Sequence, residues 1–204
     1  MSTLAISKDK PFHHRNLKEA LHDTALSLLD ANGISAVTIR AVAREVGVSH
    51  AAPVNHYKDR QSLLTTIAIQ QFQSILVDIE KQLGNSGLSN AERVEVIPNA
   101  MLSYGLKHPN RYQLLWRRDL IDYADPSIIK VTDRIYDWLC EEIQQAIPES
   151  AFDRDTVAIA LWSVVHGYLD MRQNGMFLEK SDTVNGLPRQ RAVLDLFRAM
   201  LSGS

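Results

Sequence analysis

Residues 38–49 read Thr38-Ile39-Arg40-Ala41-Val42-Ala43-Arg44-Glu45-Val46-Gly47-Val48-Ser49. Thr38 is suited to cap a short helix whose apolar positions recur at helical spacing, and Gly47 ends that helix. Ala43 is small where two helices must cross closely, and Gly47 permits the tight turn that follows. Ser49 predicts the start of a third short helix that reaches about residue 57, with Pro53 at about its fourth position. This succession is the helix-turn-helix pattern, in which the second helix of the motif can enter a major groove.

Helical periodicity continues on both sides of this motif. A long helix ends at Gly33, and another long helix begins after Arg60 and runs to the loop at residues 84–87. Further helices are predicted to begin at Ser89 or Asn90 and to cover residues 111–118, 127–147, 153–173 and 189–201. Residues 176–188 read as irregular, and no convincing strand is found. The sequence therefore predicts an all-α fold of about nine helices.

Composition excludes several classes of protein. The chain has 204 residues, 45% hydrophobic and 23% charged, which is typical of a globular protein rather than a disordered one. Cys140 is the single cysteine, so a secreted domain held by internal disulfides is excluded. No apolar run approaches the roughly 18 residues of a membrane span, and the N-terminus lacks the apolar stretch of a signal peptide. We expect a cytoplasmic protein.

Charge is distributed unevenly along the chain. The formal net charge is −2, but residues 1–60 carry 8 basic and 6 acidic side chains, a net charge of +2. The same 60 residues hold five of the seven histidines. A mildly basic head on an acidic body is compatible with an anionic partner, although a segment of this charge is also typical of an ordinary solvated face.

The predicted third helix is poor in apolar side chains. Its outward positions are His50, Ala51, Asn55 and His56, which are short or able to form hydrogen bonds. Such residues suit contact with a groove better than they suit core packing. The alternative is an ordinary helical hairpin, because small-residue turns with a glycine are common.

Residues 33–64, GISAVTIRAVAREVGVSHAAPVNHYKDRQSLL, resemble the DNA-binding domain of the tetracycline-repressor (TetR) family. The resemblance implies a helix-turn-helix DNA-binding domain over residues 10–60 and a helical effector-binding and dimerisation domain over residues 61–204. It also implies a ligand-responsive transcriptional regulator, most simply a repressor that binds a palindromic operator as a homodimer and is released by a small apolar or amphipathic effector.

Carried over by position, the resemblance implies contacts with the DNA backbone. Thr38 would cap the second helix near a phosphate, and Arg40 would lie at the DNA-facing start of that helix. Ser49 would meet the backbone at the start of the recognition helix, where the helix dipole favours phosphate. Arg60 stands where the family usually has a lysine on a phosphate. Val54 departs from the family pattern, which commonly has a tyrosine there, and valine has no donor for a phosphate.

The remaining residues carried over lie on the recognition helix itself. His50, Ala51 and Ala52 would approach bases, and the two alanines would contact thymine methyl groups. Asn55, His56 and Tyr57 would contact the backbone or the rim of the groove. The N-terminal segment offers five further basic or histidine side chains, which would form an arm over the DNA or a tail without a role: Lys8, Lys10, His13, His14 and Arg15.

The last two helices are the expected homodimer interface, because one recognition helix reads only a few base pairs. Trp162, His166 and Gly167 are similar to the Trp-x-x-x-His-Gly (WHG) signature of one C-terminal class of the TetR family. His166 reads first as a hydrogen-bonded core or interface histidine, with Asp170 four residues on as a partner, and second as a residue that contacts a ligand or a metal.

The middle helices carry a cluster of aromatic side chains with polar tips. Such a mixture suits a mostly apolar effector pocket, although plain core packing explains it equally well. The predicted pocket residues are Met101, Tyr104, His108, Tyr112, Trp116, Trp138 and His166.

Enzyme interpretations find little support. No phosphate-binding loop, cysteine pair, zinc-protease motif or nucleophile elbow is present, and we expect no cofactor or metal. Glu141 and Glu142 are adjacent and read as solvated charges. Two other classes stay open from sequence alone: a helical ligand-binding or interaction protein whose head is only a structural hairpin, and a helical enzyme.

Overall fold

The computed structural model describes residues 14–149, 152–178 and 181–202. Eight α-helices lie in these described residues: α1 (His14–Asn32), α2 (Ile39–Val46), α3 (Arg60–Leu83), α4 (Asn90–Lys107), α5 (Pro109–Leu115), α6 (Pro126–Ala146), α7 (Arg154–Gln173) and α8 (Arg189–Ser202). The all-α class is confirmed. The chain forms two compact units whose boundary falls between Leu63 and Leu64, inside α3.

The first unit is built on α1 and α2. The hydroxyl oxygen of Thr38 accepts a hydrogen bond from the amide of Ala41 at 3.1 Å, so the predicted cap of α2 is confirmed. Gly47 has the left-handed φ of 79°, and the amide of Val48 donates to the carbonyl of Ala43 at 3.0 Å. This Schellman arrangement ends α2 and turns the chain.

The predicted third helix is wrong in its geometry. A single 3₁₀ turn, η2 (Ala52–Asn55), stands in its place, and it has no side-chain cap. Pro53 explains the change, because it has no N–H to reach the carbonyl of Ser49 four residues back. The amide of Ala52 donates to the carbonyl of Ser49 instead, at 3.0 Å. This bond joins residues three positions apart, which is the spacing of the tighter 3₁₀ helix. The number of α-helices in the described residues is therefore eight rather than nine. A second 3₁₀ turn, η1 (Ile34–Ala36), links α1 to α2.

The second unit places α4 at its centre, packed against α6, α7 and α8. Its core is made of apolar side chains from all four helices, among them Ile97, Met101, Leu139, Leu161 and Phe197. Burial of these side chains supplies most of the driving force for folding.

Two paired buried carboxylates join α4 to its neighbours. Glu142 is 4% exposed and accepts two hydrogen bonds of 2.7 Å from Arg93. The expectation that Glu142 is a solvated charge is therefore wrong, whereas Glu141 is exposed as expected. Glu95 accepts a similar pair of bonds from Arg198 of α8, each at 2.7 Å. Each bidentate pair compensates the cost of removing two charges from water and fixes how the helices pack.

The ends of the helices in the second unit follow the sequence signals closely. Ser89 caps α4 in a capping box with Glu92, and Asp153 caps α7 through the amide of Thr156 at 2.9 Å. The segment predicted to be irregular contains a small hairpin, β1 (Thr183–Val184) and β2 (Leu187–Pro188), whose turn residues Asn185 and Gly186 both have positive φ. Among the described residues, no helix has the length and apolar character needed to span a membrane.

Candidate nucleic-acid interface and effector site

One face of the helix-turn-helix is exposed and polar. Pro53 is buried, so the turn η2 presents its other side chains outward. The exposed side chains on this face are Arg40, Ser49, His50, Ala51, Val54 and Asn55. Five of these six are residues predicted to meet DNA, and all six are exposed in the first unit.

Three further predicted residues of the head are half-buried. Thr38 lies at the start of α2, with its hydroxyl already engaged as a helix cap, while Ala52 and His56 lie at the two ends of η2. They border the exposed face. The N-terminal segment predicted as an arm over the DNA lies largely outside the described residues. Lys8, Lys10 and His13 are outside them, and so are the side chains of His14 and Arg15.

Tyr57 is a core residue, contrary to the expectation that it contacts DNA. Its side chain is 3% exposed, and its hydroxyl donates to the carbonyl of Lys18 at 3.4 Å. Burial raises the pKa of Tyr57, and the nearby charge of Asp23 raises it further. The tyrosine joins η2 to α1 and thereby fixes the position of the exposed face.

Arg60 also has a structural role that the sequence did not predict. Its guanidinium donates from Nε to the carbonyl of Val37 at 2.6 Å and from Nη2 to the carbonyl of Ile34 at 2.7 Å. These carbonyls belong to the link between α1 and α2. Arg60 therefore holds the first residues of α3 to that link, a role beyond the phosphate contact predicted for it, which stays a prediction.

The second unit contains an aromatic cluster, which we define as Phe72, Tyr112, Trp116, Trp162 and His166. Trp116 lies at its centre, with ring centroids 4.3 Å from His166, 5.8 Å from Trp162 and 5.8 Å from Phe72, all edge-to-face. Such geometry is favoured by aromatic quadrupoles. Three of the seven predicted pocket residues belong to this cluster. Phe72 and Trp162 were missed, although Trp162 stands four residues before His166 and shares its helix face.

His166 is held by Tyr112 rather than by Asp170. The Tyr112 hydroxyl lies 2.5 Å from Nδ1 of His166, while Asp170 accepts from Asn174 at 3.0 Å. Burial lowers the pKa of His166 to about 4 and raises that of Tyr112. The imidazole is therefore neutral at pH 7, and it shares one hydrogen bond with the Tyr112 hydroxyl through Nδ1. The cluster presents aromatic surface with one neutral polar pair.

Met101 and His166 line the same narrow apolar cavity, together with Ile97, Leu161 and Val165. The side chains there pack so closely that no space between them admits a water molecule. A ligand in this place would therefore need the surrounding helices to separate.

The other predicted pocket residues lie apart from the aromatic cluster. The hydroxyl of Tyr104 donates to the side-chain oxygen of buried Gln71 at 2.9 Å, and the ring of His108 lies 5.3 Å from that of Tyr104. Trp138 contacts Arg134, whose guanidinium is 4.1 Å from the centre of the indole ring. The sequence could not separate these groups, because helical spacing does not show which neighbouring helix each side chain faces.

Comparisons with known proteins agree with this geometry. Residues 21–67 match the family model for bacterial regulatory proteins of the tetR family, and residues 94–194 match the model for the tetracyclin repressor-like C-terminal domain. An uncharacterized HTH-type transcriptional regulator of Mycobacterium tuberculosis is 24% identical over 162 residues, 78% of this chain and 71% of its own.

Solved structures show the same fold. A Rhodococcus sp. RHA1 protein of unknown function superposes with a TM-score of 0.77 at 24% identity, over 96% of this chain and 98% of its own. A regulatory protein in the tetR family, also from Rhodococcus RHA1, gives a TM-score of 0.69 at 18% identity, and the match covers 90% of this chain and 96% of that protein. The TetR-family regulator PfmR from Thermus thermophilus gives a TM-score of 0.65 at 16% identity, over 89% and 97%.

The head and the matches together define a DNA-binding transcriptional regulator of the helix-turn-helix class. The similarity indicates a regulator rather than an enzyme. The chain belongs to the TetR family, because models for both parts of that family match it and together cover most of its length. The WHG resemblance of its C-terminal part stays a prediction.

Proposed function

We propose that this regulator is a repressor that binds a palindromic operator as a homodimer in the cytoplasm and is released by a small apolar or amphipathic effector. The observation that carries the DNA-binding part is the exposure of polar residues in the helix-turn-helix, where Arg40, Ser49, His50 and Asn55 are all exposed. Repression, dimerisation and an effector are typical of the family, and the following features of the second unit support them here.

The residues of the exposed face divide by chemistry. Arg40 and Ser49 suit phosphate contacts, which position the protein without reading sequence. His50 and Asn55 can exchange hydrogen bonds with base edges, and asparagine pairs in a bidentate manner with adenine. Lys58 is exposed after η2 and adds positive charge. The proposed interface thus combines positioning and reading groups on one small surface.

Three single substitutions test this assignment against one duplex selected from random DNA. Arg40→Ala should weaken binding to all sequences and lower the slope of log affinity against log salt by about 1, because one phosphate contact is lost. His50→Ala and Asn55→Ala should instead change which base is preferred at one position in each half-site. Equal losses on the selected and on random duplexes for all three variants would contradict the assignment.

We assign the effector to the aromatic cluster and the narrow cavity lined by Met101 and His166. The lining is aromatic and aliphatic, with one neutral hydrogen-bonded pair, which suits an uncharged apolar body with at most one polar group. The cluster includes Phe72 of α3, the helix that also carries Arg60. An effector that separates the cluster would displace α3, and the two recognition elements would lose the spacing of successive major grooves, roughly 34–36 Å.

Release follows only if the effector binds the non-DNA conformation more tightly. A panel of uncharged aromatic and aliphatic compounds, titrated against the protein–duplex complex, tests this assignment. Active compounds should displace the duplex and change the fluorescence of Trp116 and Trp162. Met101→Phe enlarges a buried side chain where no water fits and should abolish displacement of the duplex, while Met176→Phe, at an exposed site, should leave displacement unchanged. A thermal unfolding curve checks that Met101→Phe is folded, and release that survives in the folded variant would place the effector elsewhere.

The homodimer is assigned to α7 and α8. Their surfaces expose Ile159, Val164 and Leu196, and a Cβ added at Gly167 would meet nothing within 4 Å in the single chain. Exposed apolar side chains on two helices are typical of surfaces that bind an identical subunit. In sedimentation experiments Val164→Arg should yield monomers, whereas Val77→Arg, at an exposed valine of α3, should leave the dimer intact. A dimer that persists in Val164→Arg would refute this interface.

A further inference from the structure

Val54 is unusual among the residues of the head. It is 56% exposed, and among the described residues of the first unit it is the single large apolar side chain that is exposed. The other large apolar side chains described in that unit are buried, as Leu21 and Val42 are, or half-buried, as Leu28 and Ile39 are. The exposed residues nearest to Val54 in the sequence are Ala51, which is apolar, and Asn55, which can form hydrogen bonds.

The 3₁₀ geometry of η2 sets which residue accompanies Val54. The amide of Val54 donates to the carbonyl of Ala51 at 3.3 Å, which is the i−3 bond of a 3₁₀ turn. Side chains three residues apart are eclipsed in this geometry. Ala51 is exposed as well, so the two side chains form a small methyl-bearing patch on the outward side of the turn, opposite buried Pro53.

A methyl-bearing patch cannot bind phosphate, because neither side chain has a donor. In the major groove the apolar feature of a base pair is the C5-methyl group of thymine, which alanine and threonine methyl groups and phenylalanine contact in known complexes. We infer that Val54, with Ala51, reads the methyl group of one thymine in each half-site of the operator. This inference rests on the proposed DNA interface and adds to it a specificity determinant at a position that has no polar group.

The test replaces thymine by deoxyuridine, which removes only the C5-methyl group and leaves base pairing unchanged. The full-length protein is first used to select a duplex from a random library. Each thymine of that duplex is then replaced in turn, symmetrically in both half-sites, and affinity is measured at constant salt. One position should lose about fourfold per methyl group, or roughly 15-fold for the symmetric pair, on the scale of one buried methyl group in each half-site.

The decisive comparison uses Val54→Ala in the same series. This variant should bind the thymine duplex more weakly than the native protein, and should lose most of the difference in affinity between the thymine and deoxyuridine duplexes at the position that Val54 reads, because only Ala51 and the shortened side chain remain there. Val77→Ala truncates an equally exposed valine of α3 and should keep the full sensitivity to the methyl group. A thermal unfolding curve checks that Val54→Ala is folded, which is expected because the side chain is exposed.

Three outcomes would overturn the inference. The first is a selected duplex in which no thymine shows a methyl dependence. The second is a methyl dependence that Val54→Ala retains in full. In both cases specific binding persists, so the DNA interface stands and only the role of Val54 fails. The third is the absence of any selected duplex, which removes the proposed interface together with the inference.

Discussion

Replacing Arg60 by alanine should destabilise the first unit, and should weaken DNA binding mainly for that reason. The guanidinium donates two hydrogen bonds, 2.6 Å to the carbonyl of Val37 and 2.7 Å to that of Ile34. A hydrogen bond from a charged donor contributes about 1.5–3 kcal/mol when it is buried. Because Arg60 is only half-buried, water compensates part of the lost hydrogen bonding in the variant. We expect the free energy of unfolding of the first unit to fall by about 1–3 kcal/mol in total.

Arg40→Ala is the matched control, because Arg40 belongs to the same unit and its side chain is exposed. Its effect on stability should stay within about 0.5 kcal/mol. Arg60→Lys should be intermediate, since a lysine keeps the charge but lacks the planar fork that reaches two carbonyls.

Amide hydrogen exchange followed by mass spectrometry measures the effect locally. All three tryptophans, Trp116, Trp138 and Trp162, lie in the second unit, so their fluorescence does not report on the head. A loss of about 1–3 kcal/mol corresponds to exchange about 5- to 150-fold faster in Arg60→Ala than in the native protein, for peptides covering residues 34–46. In Arg40→Ala the exchange rates of the same peptides should be unchanged. Unchanged exchange in Arg60→Ala, together with a loss of DNA affinity, would show that Arg60 acts on phosphate and would refute the structural role.

Three further predictions concern the second unit. Tyr112→Phe should lower the free energy of unfolding by roughly 1–3 kcal/mol in chemical denaturation, because Nδ1 of His166 loses its hydrogen-bond partner; an unchanged midpoint would argue against that bond. The pKa of His166 is lowered from 6.5 to about 4, so the unfolded chain binds more protons between these values, and stability should fall by about 3 kcal/mol as the pH drops from 6.5 to 4. His166→Gln should lose that part of the pH dependence, and an identical pH profile would contradict it. Gly105→Ala should destabilise by about 1–3 kcal/mol, because its Cβ would lie 2.6 Å from a methyl carbon of Leu169, whereas Gly167→Ala should not lower the stability of the subunit fold.

The sequence predicted the elements whose cause is local. Thr38, Gly47, Ser89 and Asp153 act through bonds to residues three or four positions away, so the pattern alone indicates where their helices begin or end. The third helix failed for a reason that is also local. The position of Pro53 in the sequence suggests that its missing N–H costs an α-helix little. In an α-helix, however, that N–H would donate to the carbonyl of Ser49, and without it the segment forms a 3₁₀ turn.

The long-range partners could not be predicted in the same way. Tyr57 and Arg60 read as surface residues because tyrosine and arginine often are, yet their bonds reach back 39 and 23 residues along the chain. His166 likewise has its partner 54 residues away, in Tyr112, rather than four residues on. One helix face can be inferred from spacing, but the residue that faces it from another helix depends on how the helices pack.

The most direct test of the account compares two duplexes of equal length and base composition, one selected by the full-length protein and one with the same bases shuffled. Binding of both is measured by fluorescence anisotropy at one physiological salt concentration. A sequence-reading regulator should bind the selected duplex at least about 1,000-fold more tightly. Equal affinity for the two duplexes would contradict the central claim that the exposed face of the helix-turn-helix reads an operator.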